Sequence, residues 1–321
     1  VPGETVNRLC ASGLSAAVHA ARMVMTGDAH FAIAGGVENM TRGPWVISKT
    51  STPYGRDAQM FDSSFGWRFV NPKLKEMFGV DGMGETAENL AERDTISRED
   101  QDNFAVASQR KAKVARDSGR LSKEIVPVMI PQRKGDPIAF DQDEFMKPET
   151  TVEGLARLKP AFRKEGSVTA GNASGLNDGA AALLIASEEG VKSAGLKPRA
   201  RICASAVVGV EPRIMGIGPV KAANLALQKA GLSWSDIDVI ELNEAFAAQS
   251  LACIRSWGLK DDDPRINPNG GAIALGHPLG CSGARIAVTL LHRMRDSGAK
   301  YGIAALCVGQ GQGVATVFEA V

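Results

Sequence analysis

The first forty residues combine an apolar helix pattern with an apolar strand pattern. Apolar residues recur at helical spacing from Ser12 to Met25, and Gly27 ends that segment. Phe31–Gly36 is a continuous apolar run, which is typical of an interior strand of a parallel sheet. A helix followed by a buried strand predicts the α/β class.

The same alternation returns near residue 180 and continues to the end of the chain. The pattern predicts strands near 200–208, 239–240, 302–308 and 314–319, and helices over 220–230, 243–257 and 282–295. A glycine-rich turn from Asn267 to Gly280 separates the last two helices.

The segment between residues 41 and 166 differs from the rest of the chain in composition and pattern. Residues 41–82 are rich in Gly, Pro, aromatic and charged residues, whereas 84–116 has helical character, with Ser97 as a predicted helix cap. We interpret this segment as a large excursion from the core fold. Long excursions in compact domains usually serve a purpose, which here favours a lid or an assembly surface.

An internal echo links the two ends of the chain. Cys10-Ala11-Ser12-Gly13, followed by a helix and a strand, matches Gly280-Cys281-Ser282-Gly283, followed by a helix and a strand at nearly the same spacing. Two similar α/β halves would place a loop from each half at a shared cleft. Chance similarity between two α/β units is the alternative.

Composition excludes several classes of protein. Of 321 residues, 44% are hydrophobic and 23% are charged, and 37 Lys and Arg balance 36 Asp and Glu to give a net charge of +1. Neither nucleic acid nor a membrane surface would be attracted by bulk charge, and no window of about 18 uncharged apolar residues predicts a membrane span.

The five cysteines are odd in number, scattered, and never arranged as C-x-x-C. A disulfide scaffold or zinc site is therefore not predicted, and a reducing cytoplasm is the expected compartment. Glycine makes up 35 residues, which indicates many sharp turns or close backbone contacts.

Two residues combine reactive side chains with suitable backbone settings. Cys10 lies at or just before a helix N-terminus, where backbone N–H groups favour a thiolate and would lower the pKa of the thiol from ~8.5 towards 7. His277 lies in Gly276-His277-Pro278, a stiff turn that displays the imidazole. The alternative for Cys10 is a small buried residue of a helix.

Two further segments offer supporting chemistry. Cys307-Val308-Gly309 ends a predicted strand and enters a glycine-rich turn, which would expose a thiol and free N–H groups suited to an oxyanion. The turn lacks the Lys and Ser/Thr pattern of a nucleotide loop. Asn243, at a strand-to-helix junction, is either part of this chemistry or simply a helix cap.

Taken in order, these four segments closely resemble the signature segments of the thiolases. The resemblance covers essentially all 321 residues, including Thr169–Gly175 and the excursion, which resembles the loop domain of the family. It implies an α/β thiolase fold of two similar halves in five αβαβα layers. The implied divisions are 1–40 and 167–195 for the first half, 41–166 for the loop and tetramerisation excursion, and 196–321 for the second half.

The resemblance also implies a mechanism and a set of contacts. His277 would deprotonate Cys10, whose thiolate would attack a 3-oxoacyl-CoA, with Cys307 as general acid and base. Backbone N–H groups of Cys10 and Gly309, together with His277 and a water held by Asn243, would stabilise the two oxyanions. Coenzyme A enters as co-substrate, with no tightly bound cofactor and no metal, and the implied CoA-site residues are Ser174, Met83 and Lys147.

Within the family, the segments Gly66–Pro72, Glu85–Asn89 and Ala274–Gly280 most resemble the 3-oxoadipyl-CoA thiolases of aromatic-compound degradation. The expected products are succinyl-CoA and acetyl-CoA, and the expected assembly is a homo-oligomer, either dimer or tetramer. A fatty-acid or acetoacetyl-CoA thiolase and an inactive binding or assembly protein are the alternatives. A β-ketoacyl synthase is a further rival, but that family has His where this chain has Cys307.

One feature departs from the family pattern. Thiolase chains have roughly 80 more residues before the segment that matches Val1. We therefore expect this sequence to be a fragment or an incomplete record of a longer chain. A complete reading frame beginning with Met at this position and giving a soluble, active enzyme would contradict that expectation.

Overall fold

The computed structural model describes all residues from Val1 to Val321. The elements of residues 1–195 are, in chain order, α1 (Ser12–Met25), β1 (Phe31–Glu38), β2 (Trp45–Ile47), β3 (Met60–Asp62), α2 (Pro72–Phe78), α3 (Met83–Arg93), α4 (Arg98–Asp117), β4 (Val128–Ile130), β5 (Ile138–Phe140), α5 (Val152–Ala156), β6 (Gly179–Ala186) and α6 (Glu188–Ser193).

The remaining elements complete an alternating α/β pattern. They are β7 (Ala200–Gly209), α7 (Gly218–Ala230), β8 (Val239–Leu242), α8 (Ala247–Ser256), α9 (Ala272–Leu275), α10 (Leu279–Ser297), β9 (Tyr301–Val308) and β10 (Gln312–Ala320). The structure thus confirms the α/β class that the sequence predicts. None of the helices has the length and apolarity needed to cross a membrane.

A four-stranded sheet forms the centre of the molecule. Its order is β7-β10-β9-β8, with β8 parallel to β9 and the other neighbours antiparallel. One face packs against α7 and α8, and the other packs against α1 and α10. Because both faces are covered, β8 is buried at every position and β9 at nearly every position.

The second sheet contains only β1 and β6, and here two expectations are wrong. The two strands are antiparallel, not parallel, and β1 is not buried on both faces. One face packs against α1 and α10, but Ile33 and Val37 on the other face are 83% and 72% exposed. In this chain α7 and α8, the four-stranded sheet, α1 with α10, and the two-stranded sheet therefore follow one another in that order. The apolar run of β1 reports the character of the strand and not what covers its faces.

The helices α1 and α10 meet through two glycines that occupy matching positions in the internal echo. A Cβ on Gly13 would lie 2.6 Å from the backbone nitrogen of Ala284, and a Cβ on Gly283 would overlap the backbone nitrogen of Leu14. Each helix therefore needs glycine to approach the other. This reciprocal contact supports the prediction of two similar halves.

The excursion lies across the second half of the molecule. It contains the two hairpins β2–β3 and β4–β5, and the helices α3 and α4. Leu90 and Ile96 pack against Leu251 and Ala252 of α8, and Ser97 caps α4 by accepting a hydrogen bond from the N–H of Asp100. The excursion is thus fixed against the element that follows Asn243.

Candidate active site

Cys10 lies in a short 3₁₀ turn, Leu9–Ala11, that leads directly into α1. Leu9 adopts the left-handed conformation at φ 48°. The side chain of Asn7 stabilises the turn by accepting a hydrogen bond from the N–H of Leu9 at 2.9 Å. Such strain in a non-glycine residue is concentrated at functional sites. The turn buries Cys10 at the N-terminus of the helix, where the sequence predicts it.

The predicted lowering of the Cys10 pKa is wrong. Burial raises the pKa of the thiol to about 11, and the negative charge of Glu38 adds to this increase. Hydrogen bonds from the N–H groups of Gly309 and of Cys10 itself act in the opposite direction but are outweighed. Desolvation therefore dominates over the helix terminus, and Cys10 rests as a neutral thiol.

Cys307 and Gly309 reach the same place from the end of β9. Cys307 is fully buried, and burial raises its pKa well above the ordinary value; unfavourable charge interactions with Cys10 and Cys253 add to the increase. A negative charge on Cys10 would therefore oppose ionisation of Cys307. A Cβ on Gly309 would lie 3.0 Å from Leu9 and 4.0 Å from the sulfur of Met83, so this turn closes over Cys10.

His277 is held on its turn at both the backbone and the ring. Gly276 has φ 93° and packs against Asn177, whose Oδ1 accepts a hydrogen bond from the N–H of His277 at 3.1 Å. His277 Nδ1 lies 2.6 Å from Ser282 Oγ, and Ser282 Oγ donates to the carbonyl of Pro278 at 2.9 Å. Because Ser282 has a single proton, it must accept from Nδ1–H, which leaves Nε2 as the proton acceptor.

The surroundings keep His277 neutral. Burial lowers the pKa of the imidazole to about 4, and the positive charge of Arg285 on α10 contributes to the decrease. His277 as a whole is 5% exposed. A neutral imidazole with a fixed tautomer is suited to accepting a proton.

Asn243 faces His277 and does not cap a helix. Its Nδ2 lies 3.4 Å from His277 Nε2, while Oδ1 is buried without a hydrogen-bond partner in the chain. The helix predicted to begin at Asn243 begins instead at Ala247, with Phe246 in the capping position. The helix-cap alternative is therefore wrong. Asn243 follows β8 and donates its N–H to Ala305 of β9, which places it beside the strand that carries Cys307.

The three CoA-site predictions occupy different positions. Met83 packs against the group that contains Cys307. The Ser174 hydroxyl donates a hydrogen bond to the carbonyl of Ala245 at 3.0 Å, and Ala245 is two residues beyond Asn243 in the chain. Lys147 stacks over the ring of Phe145 at 5.6 Å, and that ring contacts Gly175, so Lys147 lies on the Ser174 side of the site.

Sequence reasoning missed two supporting residues. Ser282 fixes the tautomer of His277, and its only signal is a hydroxyl five residues beyond the histidine at the start of a helix. Glu244 is buried and accepts hydrogen bonds from Ser108 of α4 at 2.6 Å and from Asn267 at 2.7 Å. It thereby joins the excursion, the Asn243 segment and the turn before His277.

The candidate residues thus form two groups. Cys10 lies with Cys307 and the N–H of Gly309, and His277 lies with Asn243, whose N–H is bonded to the strand that carries Cys307. This set can form a covalent thioester and stabilise an oxyanion away from water. The chain contains no group of three or more His, Cys, Asp or Glu side chains placed to hold a metal ion.

Comparison with protein families places this fold and site in one class. The family described as "Thiolase, N-terminal domain" matches residues 1–189, and "Thiolase, C-terminal domain" matches residues 196–320. The chain belongs to the thiolase family and is an acyltransferase of that family. The match decides against a β-ketoacyl synthase.

Individual relatives show which members of the family the chain is similar to. The chain is 57% identical to a β-ketoadipyl-CoA thiolase of Acinetobacter baylyi and 55% identical to a 3-oxoadipyl-CoA/3-oxo-5,6-dehydrosuberyl-CoA thiolase of Escherichia coli K12. Each alignment covers 100% of this chain and 80% of the relative. The crystal structure of human mitochondrial 3-ketoacyl-CoA thiolase in complex with CoA superposes with a TM-score of 0.89 at 42% identity, covering 98% of this chain and 77% of that one.

Proposed function

We propose that this thiolase cleaves 3-oxoadipyl-CoA with coenzyme A, giving succinyl-CoA and acetyl-CoA through an acyl-enzyme on Cys10. The substrate is supported by the names of the relatives, which share more than half of their residues with this chain over its full length. All of these relatives are named as enzymes, which favours catalysis over an inactive binding protein.

The first step is the transfer of the Cys10 proton to His277 Nε2. The two pKa values, about 11 and about 4, lie ~7 apart, which corresponds to ~10 kcal/mol between isolated groups. The resting pair is therefore a neutral thiol and a neutral imidazole. The attraction between thiolate and imidazolium and the donors around the developing oxyanion offset this cost as the thiolate attacks the 3-keto carbon.

The second step breaks the bond between C2 and C3 of the substrate. The carbonyl reforms on Cys10 as a succinyl thioester, and the electron pair of the broken bond leaves as the enolate of acetyl-CoA. The Cys307 thiol protonates that enolate, so acetyl-CoA departs and Cys307 becomes a thiolate. Burial beside Cys10 supports this role, because a high pKa makes Cys307 a good match for a carbon acid.

The third step transfers the acyl group to coenzyme A. The Cys307 thiolate takes the proton of the CoA thiol, and the CoA thiolate attacks the succinyl carbonyl. The Cys10 thiolate leaves and recovers its proton from His277. Each thiol of the enzyme therefore ends in its starting state.

Two donor pairs would stabilise the two oxyanions. The N–H groups of Cys10 and Gly309 would hold the oxygen of the tetrahedral intermediate on Cys10. Protonated His277 Nε2, with a water held by Asn243, would hold the thioester oxygen of the substrate. The unpartnered Oδ1 of Asn243, and the 3.4 Å contact between Asn243 Nδ2 and His277 Nε2, support this pairing.

Coenzyme A would contact the Ser174 side of the site. Met83 would form part of the pocket wall beside Cys307, and Lys147 would approach the nucleotide. We further propose that the enzyme is a homo-oligomer and acts in the cytoplasm. This proposal is supported by the exposed apolar residues Val128, Ile130 and Phe140 of the β4–β5 hairpin, and by five free cysteines.

The observation that carries the mechanism is the burial of Cys10 against the N–H of Gly309, with the Cys307 thiol alongside. The test is release of acetyl-CoA from 3-oxoadipyl-CoA and CoA by the purified enzyme and by Cys10→Ala. We expect the variant to lose activity. An unchanged rate in the variant would refute the nucleophile, and a higher kcat/KM for a straight-chain 3-oxoacyl-CoA would favour a fatty-acid or acetoacetyl-CoA thiolase.

A further inference from the structure

A small pocket lies between the excursion and the segment before α7. Its walls are formed by Trp67, Phe78, Gly79, Asp81, Met83, Pro212, Arg213 and Gln310. Met83 and Gln310 mark the end nearest the candidate site, because Met83 packs against the group that contains Cys307 and Gln310 directly follows Gly309. Apolar and polar side chains both line the pocket, and Arg213 is the one cationic residue among them.

Arg213 is fixed in this pocket by one edge of its guanidinium group. Its Nε donates to Asp81 Oδ2 at 2.9 Å, and Asn89 Nδ2 donates to the same oxygen at 3.0 Å and to the carbonyl of Arg213 at 2.9 Å. Both Nη groups make no hydrogen bond within the chain, and the side chain is 56% exposed. These contacts thus orient Arg213 and leave the edge formed by its two Nη groups available to a ligand.

Asp81 is already committed to other partners. Its side-chain contacts with Arg213 and Asn89 outweigh the effect of burial and lower the pKa of its carboxyl group. Its charge is therefore compensated in place, and it positions Arg213 without requiring a further cation. An additional carboxylate would meet the free Nη edge of Arg213.

We propose that Arg213 binds the distal carboxylate of a dicarboxylic 3-oxoacyl-CoA, and that it determines the preference of the enzyme for such substrates. The proposal rests on the proposed function, because succinyl on Cys10 ends in a carboxylate. That carboxylate lies three carbon–carbon bonds of ~1.5 Å from the acyl carbon. A guanidinium edge with two N–H donors matches a carboxylate in geometry and charge.

Two other arginines near the pocket do not meet these conditions. Arg163 uses all three of its guanidinium nitrogens to contact Glu85, Glu92 and Asn89. Arg68 hydrogen-bonds the carbonyl of Gly66 within its own loop and does not line the pocket. Arg68 is therefore a suitable control, because it is an arginine next to the pocket residue Trp67.

The experiment compares two substrates that differ only at the far end. 3-Oxoadipyl-CoA carries a carboxylate where 3-oxohexanoyl-CoA carries a methyl group, so the ratio of their kcat/KM values isolates recognition of the carboxylate. Arg213→Met should lower kcat/KM for 3-oxoadipyl-CoA about 10- to 100-fold, as expected for a lost charge-assisted hydrogen-bond pair. Its kcat/KM for 3-oxohexanoyl-CoA should change less than about 3-fold on the same scale.

Two further variants complete the test. Arg213→Lys keeps the charge but not the two-nitrogen edge, and should show an intermediate loss for 3-oxoadipyl-CoA. Arg68→Met should behave as the unsubstituted enzyme with both substrates. Activity of each variant with 3-oxohexanoyl-CoA also shows that the preparation is folded.

The outcomes separate the two proposals. If the unsubstituted enzyme prefers 3-oxohexanoyl-CoA, the proposed substrate is wrong. If it prefers 3-oxoadipyl-CoA and Arg213→Met keeps that preference, the substrate stands and the role of Arg213 is refuted. An equal loss with both substrates, or a loss in Arg68→Met matching that in Arg213→Met, likewise contradicts recognition of the carboxylate by Arg213.

Discussion

Replacement of Ser282 by alanine tests the assignment of the His277 tautomer. Ser282 Oγ accepts the Nδ1 proton at 2.6 Å because its own proton is donated to Pro278. Without that hydroxyl, the buried Nδ1–H loses its partner, or the ring shifts its proton to Nε2. The second arrangement leaves no lone pair at Nε2 to take the Cys10 proton.

The magnitude follows from the cost of an unpaired polar group. Leaving a buried N–H without a partner costs ~1–3 kcal/mol, which is a ~5- to 150-fold change in the population of the reactive tautomer. We expect kcat to fall in that range while KM changes little, because Ser282 supports the histidine and not the substrate. Because His277 and Ser282 are both buried, water has little opportunity to replace the hydroxyl.

The assay combines kinetics with spectroscopy. Steady-state thiolysis gives kcat and KM, and the ¹⁵N chemical shifts of the His277 ring report which nitrogen carries the proton. Ser250→Ala is a matched control, because Ser250 is also fully buried but its hydroxyl has no partner. Full kcat in Ser282→Ala, or an unchanged tautomer together with a reduced kcat, would refute the reasoning.

Three more outcomes are expected. Gly283→Ala should lower the Tm by separating α1 from α10, because the new Cβ would overlap Leu14. Gly3→Ala is the control and should leave the Tm unchanged, because no atom lies near its Cβ position. Equal Tm values for the two variants would contradict the helix contact. Glu244→Gln should lower the free energy of unfolding by ~1–3 kcal/mol in denaturant titrations, because one carboxylate oxygen becomes an NH₂ group that faces the Ser108 or Asn267 donor. An unchanged free energy of unfolding would show that these hydrogen bonds are replaceable. Burial lowers the pKa of His277 from 6.5 to about 4, so the unfolded chain binds the proton of this imidazole more readily than the folded protein does. The resulting contribution to stability is present above pH 6.5 and is lost as the pH falls through 4. Unfolding free energies should therefore decline by up to ~3 kcal/mol more in the unsubstituted protein than in His277→Gln between pH 7.5 and pH 4, and parallel declines would exclude the lowered pKa.

The local backbone settings of the candidate residues were predictable because adjacent residues determine them. Glycine and proline around His277 specify a stiff turn, and a cysteine before a helix pattern specifies a helix terminus. The structure places Cys10 close to Gly309, and Asn243 close to His277. These features depend on backbone chemistry over a few residues.

Properties that depend on the tertiary environment were not predictable. The sign of the Cys10 pKa shift depends on how much protein surrounds the thiol, which no neighbouring residue specifies. The partner of His277 Nδ1 and the edge of Arg213 left free by Asp81 depend on contacts between separate segments. The exposure of Ile33 also depends on which elements cover the sheet and not on the apolar run itself.

The glycine contact between α1 and α10 has a consequence for altering either half of the molecule. Gly13 and Gly283 occupy corresponding positions, and each touches the backbone of the other helix. Neighbouring positions of the two similar segments differ, with Cys10 opposite Gly280 and Ala11 opposite Cys281. A side chain at either glycine would press on the backbone of the other helix, so a substitution in one half also disturbs the packing of the other half.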